Sequence, residues 1–274
     1  MFLKGLKGTL LVAGLIAAAV TSVCAQGSTN VRRFAGEKLV YDGKMSKVVS
    51  FSVAELTFTA SETPDQQSLM IKAEAVSKGT LVSLFRYSFL QQINSSIDVD
   101  DFRAERTEKH DVQKERVRDS EALFDYGQKR VTFVETDPKD KMRAPRRIAS
   151  DISDQSHDLV SAIYFMRLQD LSLGKKFEVE LSDSGLVYKV PVVVTARETK
   201  STLLGKVACW KVEPDIFGPN RLIEKEGKLI IWMTADERKV PVAAKIDSGF
   251  GTVNIKLKSY TPPQPRQQTA ALNK

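Results

Sequence analysis

The sequence predicts a mainly β protein, a curved antiparallel sheet forming an open barrel or sandwich around one core helix at about residues 155–168. Three observations carry that prediction. Short apolar runs recur between turn-forming residues at the roughly 8–12-residue spacing of a strand meander. Residues 156–168 are the best helix candidate, with apolar side chains at three- and four-residue spacing beneath a cappable start. The composition, 42% hydrophobic and 27% charged over 274 residues, is that of a folded chain and excludes disordered and collagen-like classes.

The N-terminus comes first because it sets the compartment. Lys4 and Lys7 precede an apolar stretch over 10–20, and Val23 and Ala25 stand at the −3 and −1 positions of a cleavage site before Gln26. This is the layout of a secretory signal peptide over 1–25. The apolar run falls short of the roughly 20 residues a membrane-spanning helix needs, and Thr21 and Val23 are poor neighbours for lipidation at Cys24. No later segment is apolar enough to span a membrane, so an exported, periplasmic or cell-envelope protein is expected. Cleavage removes two lysines and lowers the net charge from +7 to +5. It also leaves Cys209 as the one thiol, within a strand-like run where a small buried residue is expected. Charges alternate in sign along the chain, without the basic patch and readers of a nucleic-acid-binding protein.

Past a flexible mature N-terminus at 26–35, a single β-rich domain is expected over 36–260. Residues 38–41 form a first strand and 48–59 a longer one, where the in–out parity changes near Ala54 as a β-bulge would make it. Residues 69–76 follow. The charged stretch 102–119 has no Gly or Pro; strand is preferred there from its neighbours, with helix left open. Residues 122–125 and 130–135 flank a turn and read as a hairpin. A basic loop with Lys139, Lys141, Arg143, Arg146 and Arg147 comes next. Ser153, Asp154 and Ser156 are candidate caps for the helix, whose Leu159, Ala162, Ile163 and Met166 would face the sheet. Strands near 177–181, 187–195, 206–212, 229–233, 240–246 and 252–257 complete the meander, and the Pro/Gln-rich tail 261–274 reads as disordered.

Chemistry-bearing patterns are sparse. His157, Asp158 and Ser161 invite a triad reading, but Asp158 would point about 100° away from His157 on a helix. His110 lacks a metal-ligand partner at useful spacing, and phosphate-loop and Gly-x-Ser-x-Gly motifs are absent. Neither metal nor cofactor is expected, and no catalytic residue can be named. Tyr164 and Arg167 near the helix C-terminus are candidate ligand-binding residues at the mouth of a half-barrel. The structural alternative for Arg167 is a favourable cation at a helix C-terminus. Trp232 is a third candidate, as a stacking platform, against a sheet-packing role.

Four landmarks in order give a family resemblance. They are Gly36-Glu37-Lys38-Leu39-Val40-Tyr41, the run Asp158-Leu159-Val160-Ser161-Ala162-Ile163-Tyr164-Phe165-Met166-Arg167, then Leu173-Gly174, and Ile231-Trp232-Met233-Thr234-Ala235-Asp236 with Pro241-Val242 and Gly251. Across about 36–258 the chain resembles the exported bacterial family named domain of unknown function 3108. The resemblance implies an envelope protein with a many-stranded curved antiparallel sheet, and it carries over no catalytic residues. Three functions follow as expectations. The leading one, a non-enzymatic binder of an apolar or amphiphilic ligand or of an envelope partner, with a lipid, glycan or envelope protein as candidate partners, would leave inward apolar positions unfilled. An enzyme on envelope polysaccharide or lipid would show a cleft with convergent polar groups, including His157 or Arg167. A structural assembly factor would have a filled interior and an exposed apolar patch or free sheet edge.

Overall fold

The computed structural model describes residues 31–46, 50–78, 88–249 and 251–264. The expected signal peptide over 1–25, residues 26–30 of the expected flexible N-terminus and residues 265–274 of the tail lie outside them. Eight strands come first: β1 (Lys38–Ser46), β2 (Ser50–Glu62), β3 (Ser68–Ser77), β4 (Phe89–Asp98), β5 (Ala104–Gln113), β6 (Arg116–Asp125), β7 (Arg130–Thr136) and β8 (Arg146–Asp151). A two-residue strand, β9 (Ser156–His157), leads into helix α1 (Leu159–Leu168). Then come β10 (Lys176–Asp183), β11 (Leu186–Thr202), β12 (Gly205–Pro214), β13 (Gly227–Thr234), β14 (Pro241–Ser248) and β15 (Gly251–Thr261).

All fifteen strands belong to one hydrogen-bonded sheet. The chain walks outward from β1 to β8, crosses through α1, and returns from β9 to β15, which pairs antiparallel with β1. The first half-sheet is therefore β1–β8 and the second β9–β15, joined at β1–β15. Their far ends meet without a hydrogen-bond ladder: Ser150 Oγ donates to the Gly185 carbonyl at 2.7 Å. Gly185 is required there, since its φ is +81° and a Cβ would lie 2.7 Å from Phe133 Cβ and 2.8 Å from Ile148 Cβ. The expected open curved sheet with one core helix is the observed architecture.

Most expected strands are present and longer than their apolar runs. The parity change in β2 is a bulge: Gly43 faces Ala54 while Lys44 faces Ser52, so Val53 is the extra residue. The charged stretch 102–119 is two strands, because Lys114 takes φ +54° and starts a two-residue turn between paired Gln113 and Arg116. β4 has no counterpart among the expected strands, although Ile93, Ser95, Ile97 and Val99 alternate into the core. The basic loop ends earlier than expected, as Arg146 already begins β8.

The helix start also differs from expectation. Ser153, Asp154 and Ser156 do not cap it; Ser156 and His157 pair with β10 instead. Asp158 is the N-cap, accepting from the Val160 and Ser161 amides at 2.7 and 2.9 Å. Ser161 Oγ accepts from the Asp158 amide in return, a reciprocal capping box. The second Asp158 oxygen accepts from Ser95 and from Thr107, which fixes the helix start against β4 and β5.

The helix packs into two separate cores, one on each of its flanks. Val160 and Tyr164 pack with Phe34, Leu69, Ile71, Ile97 and Phe102 of the first half. Ala162 and Met166 pack with Val179, Leu181, Val190 and Val192 of the second. At the helix end Arg167 forms a bidentate ion pair with Glu37, at 2.6 and 2.7 Å, with both side chains 1% exposed or less. Arg167 also donates to the Arg238 carbonyl, so one guanidinium ties together the chain start, α1 and the β13–β14 turn.

Candidate functional site

The inner face of the second half-sheet does not close onto α1. The strand pleat sends Val179 and Leu181, Val190 and Val192, and Leu229 and Ile231 to the same side, and α1 presents Leu159, Ala162, Ile163 and Met166 towards them. Leu39 and Tyr41 of β1 and Leu56 and Phe58 of β2 complete the wall. The β12–β13 connection folds Ile216, Leu222 and Ile223 over the space. Between these surfaces lies a cavity of about 650 Å³. Several of its large apolar side chains, among them Ile163, Leu222, Ile246 and Ile255, are only half-buried; Ile163, Leu222 and Ile255 rest against the core on one side and border the cavity on the other.

The wall is chemically one-sided. Among the described residues, Gln91 and Asp183 are the only lining side chains that carry an amide or a charge, and no Lys, Arg or His lines it. Tyr41 spends its hydroxyl on the Pro241 carbonyl at 2.8 Å. Ordered water needs two to four polar partners each, so water in this cavity is poorly held. The volume falls within the ~300–1,000 Å³ of small-molecule sites. Filling it with hydrocarbon gains about 0.8 kcal/mol per buried methylene.

Where Asp183 and Leu159 border the cavity, they also border a small recess of about 30 Å³. Thr107, Lys109, Ser120, Asp158, Ser182 and Ser184 form its other polar walls, beside Ile93, Ala122 and Phe133. Lys109 Nζ lies 4.0 Å from the Asp183 carboxylate. Ser182 Oγ is buried and has no hydrogen-bond partner among the described residues.

Of the three residues that sequence reasoning nominated, Tyr164 lines the cavity, while Arg167 and Trp232 do not. Arg167 is enclosed by Glu37 and stacks over the Phe34 ring at 4.5 Å. Trp232 points away from the cavity-lining side of β13; its indole N–H donates to Glu198 at 2.9 Å, and Lys200 Nζ sits 4.0 Å from the ring centroid. The remaining wall residues had no separate signal in the sequence, since an unfilled apolar position reads like a filled one.

The alternative chemical constellations dissolve in the structure. His157 is fully buried against Phe165, centroids 4.2 Å apart, and neither ring nitrogen has a partner among the described residues. Burial pushes its pKa down to about 3. Ser161 Oγ is engaged by the Asp158 backbone, so no Ser–His contact forms. Cys209 is buried as expected of a core residue, and desolvation raises its thiol pKa. No cluster of metal-ligating side chains occurs among the described residues. A second depression, of about 700 Å³, lies on the face of β2–β7 opposite α1. Its polar groups engage one another across strands, Gln92 with Glu74 at 2.8 Å and His110 with Asp119 at 2.5 Å.

Comparison with known proteins gives a family and a similar fold. The family model described as protein of unknown function (DUF3108) matches residues 40–258. A solved β-barrel-like protein of domain of unknown function DUF1849 from Brucella abortus is similar in fold, with TM-score 0.61 and 10% identity. The match covers 85% of this chain and 99% of that one. The hypothetical protein CT021 from Chlamydia trachomatis aligns at TM-score 0.36 and 9% identity, covering 87% of this chain and 95% of that one. No curated protein sequence matches the chain.

Proposed function

We propose that this chain, which belongs to the DUF3108 family of proteins of unknown function, is a non-enzymatic cell-envelope protein that holds the apolar part of an amphiphile between α1 and the second half-sheet. The observation that carries the reading is the cavity of about 650 Å³ with half-buried apolar side chains on its wall. A globular interior is close-packed by default, and voids larger than a water molecule are few. The cavity is half-open, so part of its apolar wall faces water, a cost that a ligand in the cavity offsets. Export is part of the proposal and rests on the leader-like residues 1–25.

The enzyme reading is weaker on the same geometry. It needs convergent polar groups at a cleft, and His157 and Arg167 are both enclosed in packed core. The assembly-factor reading needs a filled interior, and this one is not filled.

Native mass spectrometry of the protein purified from its own envelope, followed by organic extraction of any added mass, tests the proposal. A protein mass starting at Gln26, plus an extractable lipid-like mass, is the expected result. Ala243→Phe, which places a ring in the cavity wall, is expected to abolish the added mass while the far-ultraviolet circular dichroism stays that of a β protein. Retention of the same mass by this variant would move the ligand out of the cavity and sink the reading.

A further inference from the structure

Two kinds of element make the cavity wall. The strands that line it, and α1, all carry buried residues. The β12–β13 connection also lines it, yet none of residues 215–226 is buried. Resting on the amphiphile reading, we infer that this connection is a flap that lifts to admit the amphiphile and is drawn down over it.

The flap is shaped from within. The Ile223 amide donates to the Ile216 carbonyl at 2.9 Å and the Gly218 amide to the Ile223 carbonyl at 3.0 Å. Arg221 pairs with Asp215 at 2.8 Å. At the tip, Gly218 and Asn220 take φ of +118° and +58°, and the Arg221 amide closes the turn on the Gly218 carbonyl at 3.2 Å. These bonds travel with the segment, so lifting it leaves them intact.

Its ties to the body lie near its two roots. The Asp215 amide donates to the Pro191 carbonyl at 2.8 Å, and Arg221 donates to the Lys189 carbonyl at 3.3 Å, both on β11. At the β13 root the Phe217 ring lies against Gly227. A Cβ on Gly227 would stand 2.6 Å from that ring, so glycine is what lets the ring approach. Phe217 is not one of the cavity-lining residues, so it latches the flap without touching a ligand.

The coupling to a ligand follows from what the flap covers. Ile216 and Leu222 rest against the second core on one side and, with Ile223, border the cavity on the other. Lifting the flap from a bare cavity uncovers the first contact alone. Lifting it from hydrocarbon uncovers both. A ligand that gains this second contact only with the lowered flap shifts the population towards it.

Limited trypsin digestion of the delipidated full-length protein tests the inference, because cleavage tracks the population of the opened form when opening is fast. Arg221 and Lys225 place tryptic sites in the flap, and Lys139, Lys141 and Arg143 in the exposed β7–β8 loop are an internal control. Glycerol monododecanoate is added below its micelle concentration, with binding followed by calorimetry. It is expected to slow flap cleavage about tenfold and to leave loop cleavage unchanged. Phe217→Ala is expected to speed flap cleavage about fivefold without ligand, and the ligand should still protect it. Binding that leaves flap cleavage unchanged, or slows loop and flap alike, overturns the inference. So does a Phe217→Ala flap cleaved at the wild-type rate. Those outcomes leave the cavity as a binding site with a fixed wall. Absence of calorimetric binding overturns the underlying amphiphile reading instead.

Discussion

The two flanks of α1 are built from the same kinds of residue and end in opposite states. On the first half-sheet, Phe34, Leu69, Ile71, Ile97, Phe102 and Tyr164 are 1% exposed or less and interlock through edge-to-face rings such as Phe34–Tyr164 at 5.1 Å. On the second, Ile163, Leu222, Ile246 and Ile255 border about 650 Å³ of unfilled space. One helix serves both. The difference teaches that apolar pattern specifies which side of an element faces inward, while the distance between elements decides whether that side is packed. The filled flank holds the helix, and the unfilled flank is where a ligand gains most.

The largest expected effect comes from breaking the pin that holds both flanks in register. Arg167→Met leaves the Glu37 carboxylate buried without its cation, and removal of one partner of a buried pair costs about 3–5 kcal/mol. Chemical denaturation should show that loss. The double variant Glu37→Met with Arg167→Met is expected to recover most of it, because two apolar side chains leave no buried charge. A double variant as unstable as the single one would show that the pair's geometry, not its charge balance, holds the chain start to the helix.

Truncation sharpens the comparison directly. Ile71→Ala on the filled flank removes atoms from a complete core and is expected to cost about 2–5 kcal/mol. Ile255→Ala on the cavity wall removes atoms that already lack part of their packing, and the expected loss is below about 1.5 kcal/mol. Equal losses measured by urea unfolding of the ligand-free protein would mean that the second flank is closed in solution.

His157 gives the filled flank a pH signature. The unfolded imidazole takes a proton below its ordinary value of 6.5, while burial keeps the folded one neutral down to about 3. The unfolded state thus binds more protons across that window. The contribution is fully present above pH 6.5 and declines as pH falls, by about 1.4 kcal/mol per pH unit. Between pH 6.5 and 5 the expected loss is about 2 kcal/mol, and His157→Phe, set between Phe102 and Phe165, should flatten the profile there. Identical slopes in the two proteins would place the acid sensitivity elsewhere.

These contrasts also mark what the sequence could and could not convey. Apolar alternation and turn residues placed most strands, and the parity change near Ala54 located the Val53 bulge, because both are local properties of the chain. The β5–β6 turn was hidden since Lys114, not glycine, adopts φ +54° there. β4 was hidden because Ser95 and Asn94 dilute its apolar run; its polar core position exists to hold Asp158 across the fold. The N-cap lay two residues past Ser156 because a pairing with β10, set by tertiary structure, claims Ser156 and His157. Arg167 stood at a helix end, where the dipole explains a cation, and its partner Glu37 lies 130 residues earlier. The cavity is the extreme case: its residues are individually indistinguishable from core, and only their mutual distance makes them a site.

The smallest expected effect isolates the two faces of a single strand. Ile231 and Trp232 are neighbours on β13, and the pleat sends the first into the cavity wall and the second to the opposite face. Trp232→Phe keeps a ring and loses the indole N–H bond to a half-buried Glu198, which is expected to cost about 0.5–1 kcal/mol and to leave amphiphile affinity unchanged. Ile231→Phe adds volume on the cavity side and is expected to weaken the amphiphile without comparable loss of stability, since the added ring has space to enter. Calorimetric titration of both variants with glycerol monododecanoate separates the faces. If Trp232→Phe were the one to lose affinity, the ligand would sit on the outer surface beside Glu198 and Lys200, and the unfilled flank would need another explanation.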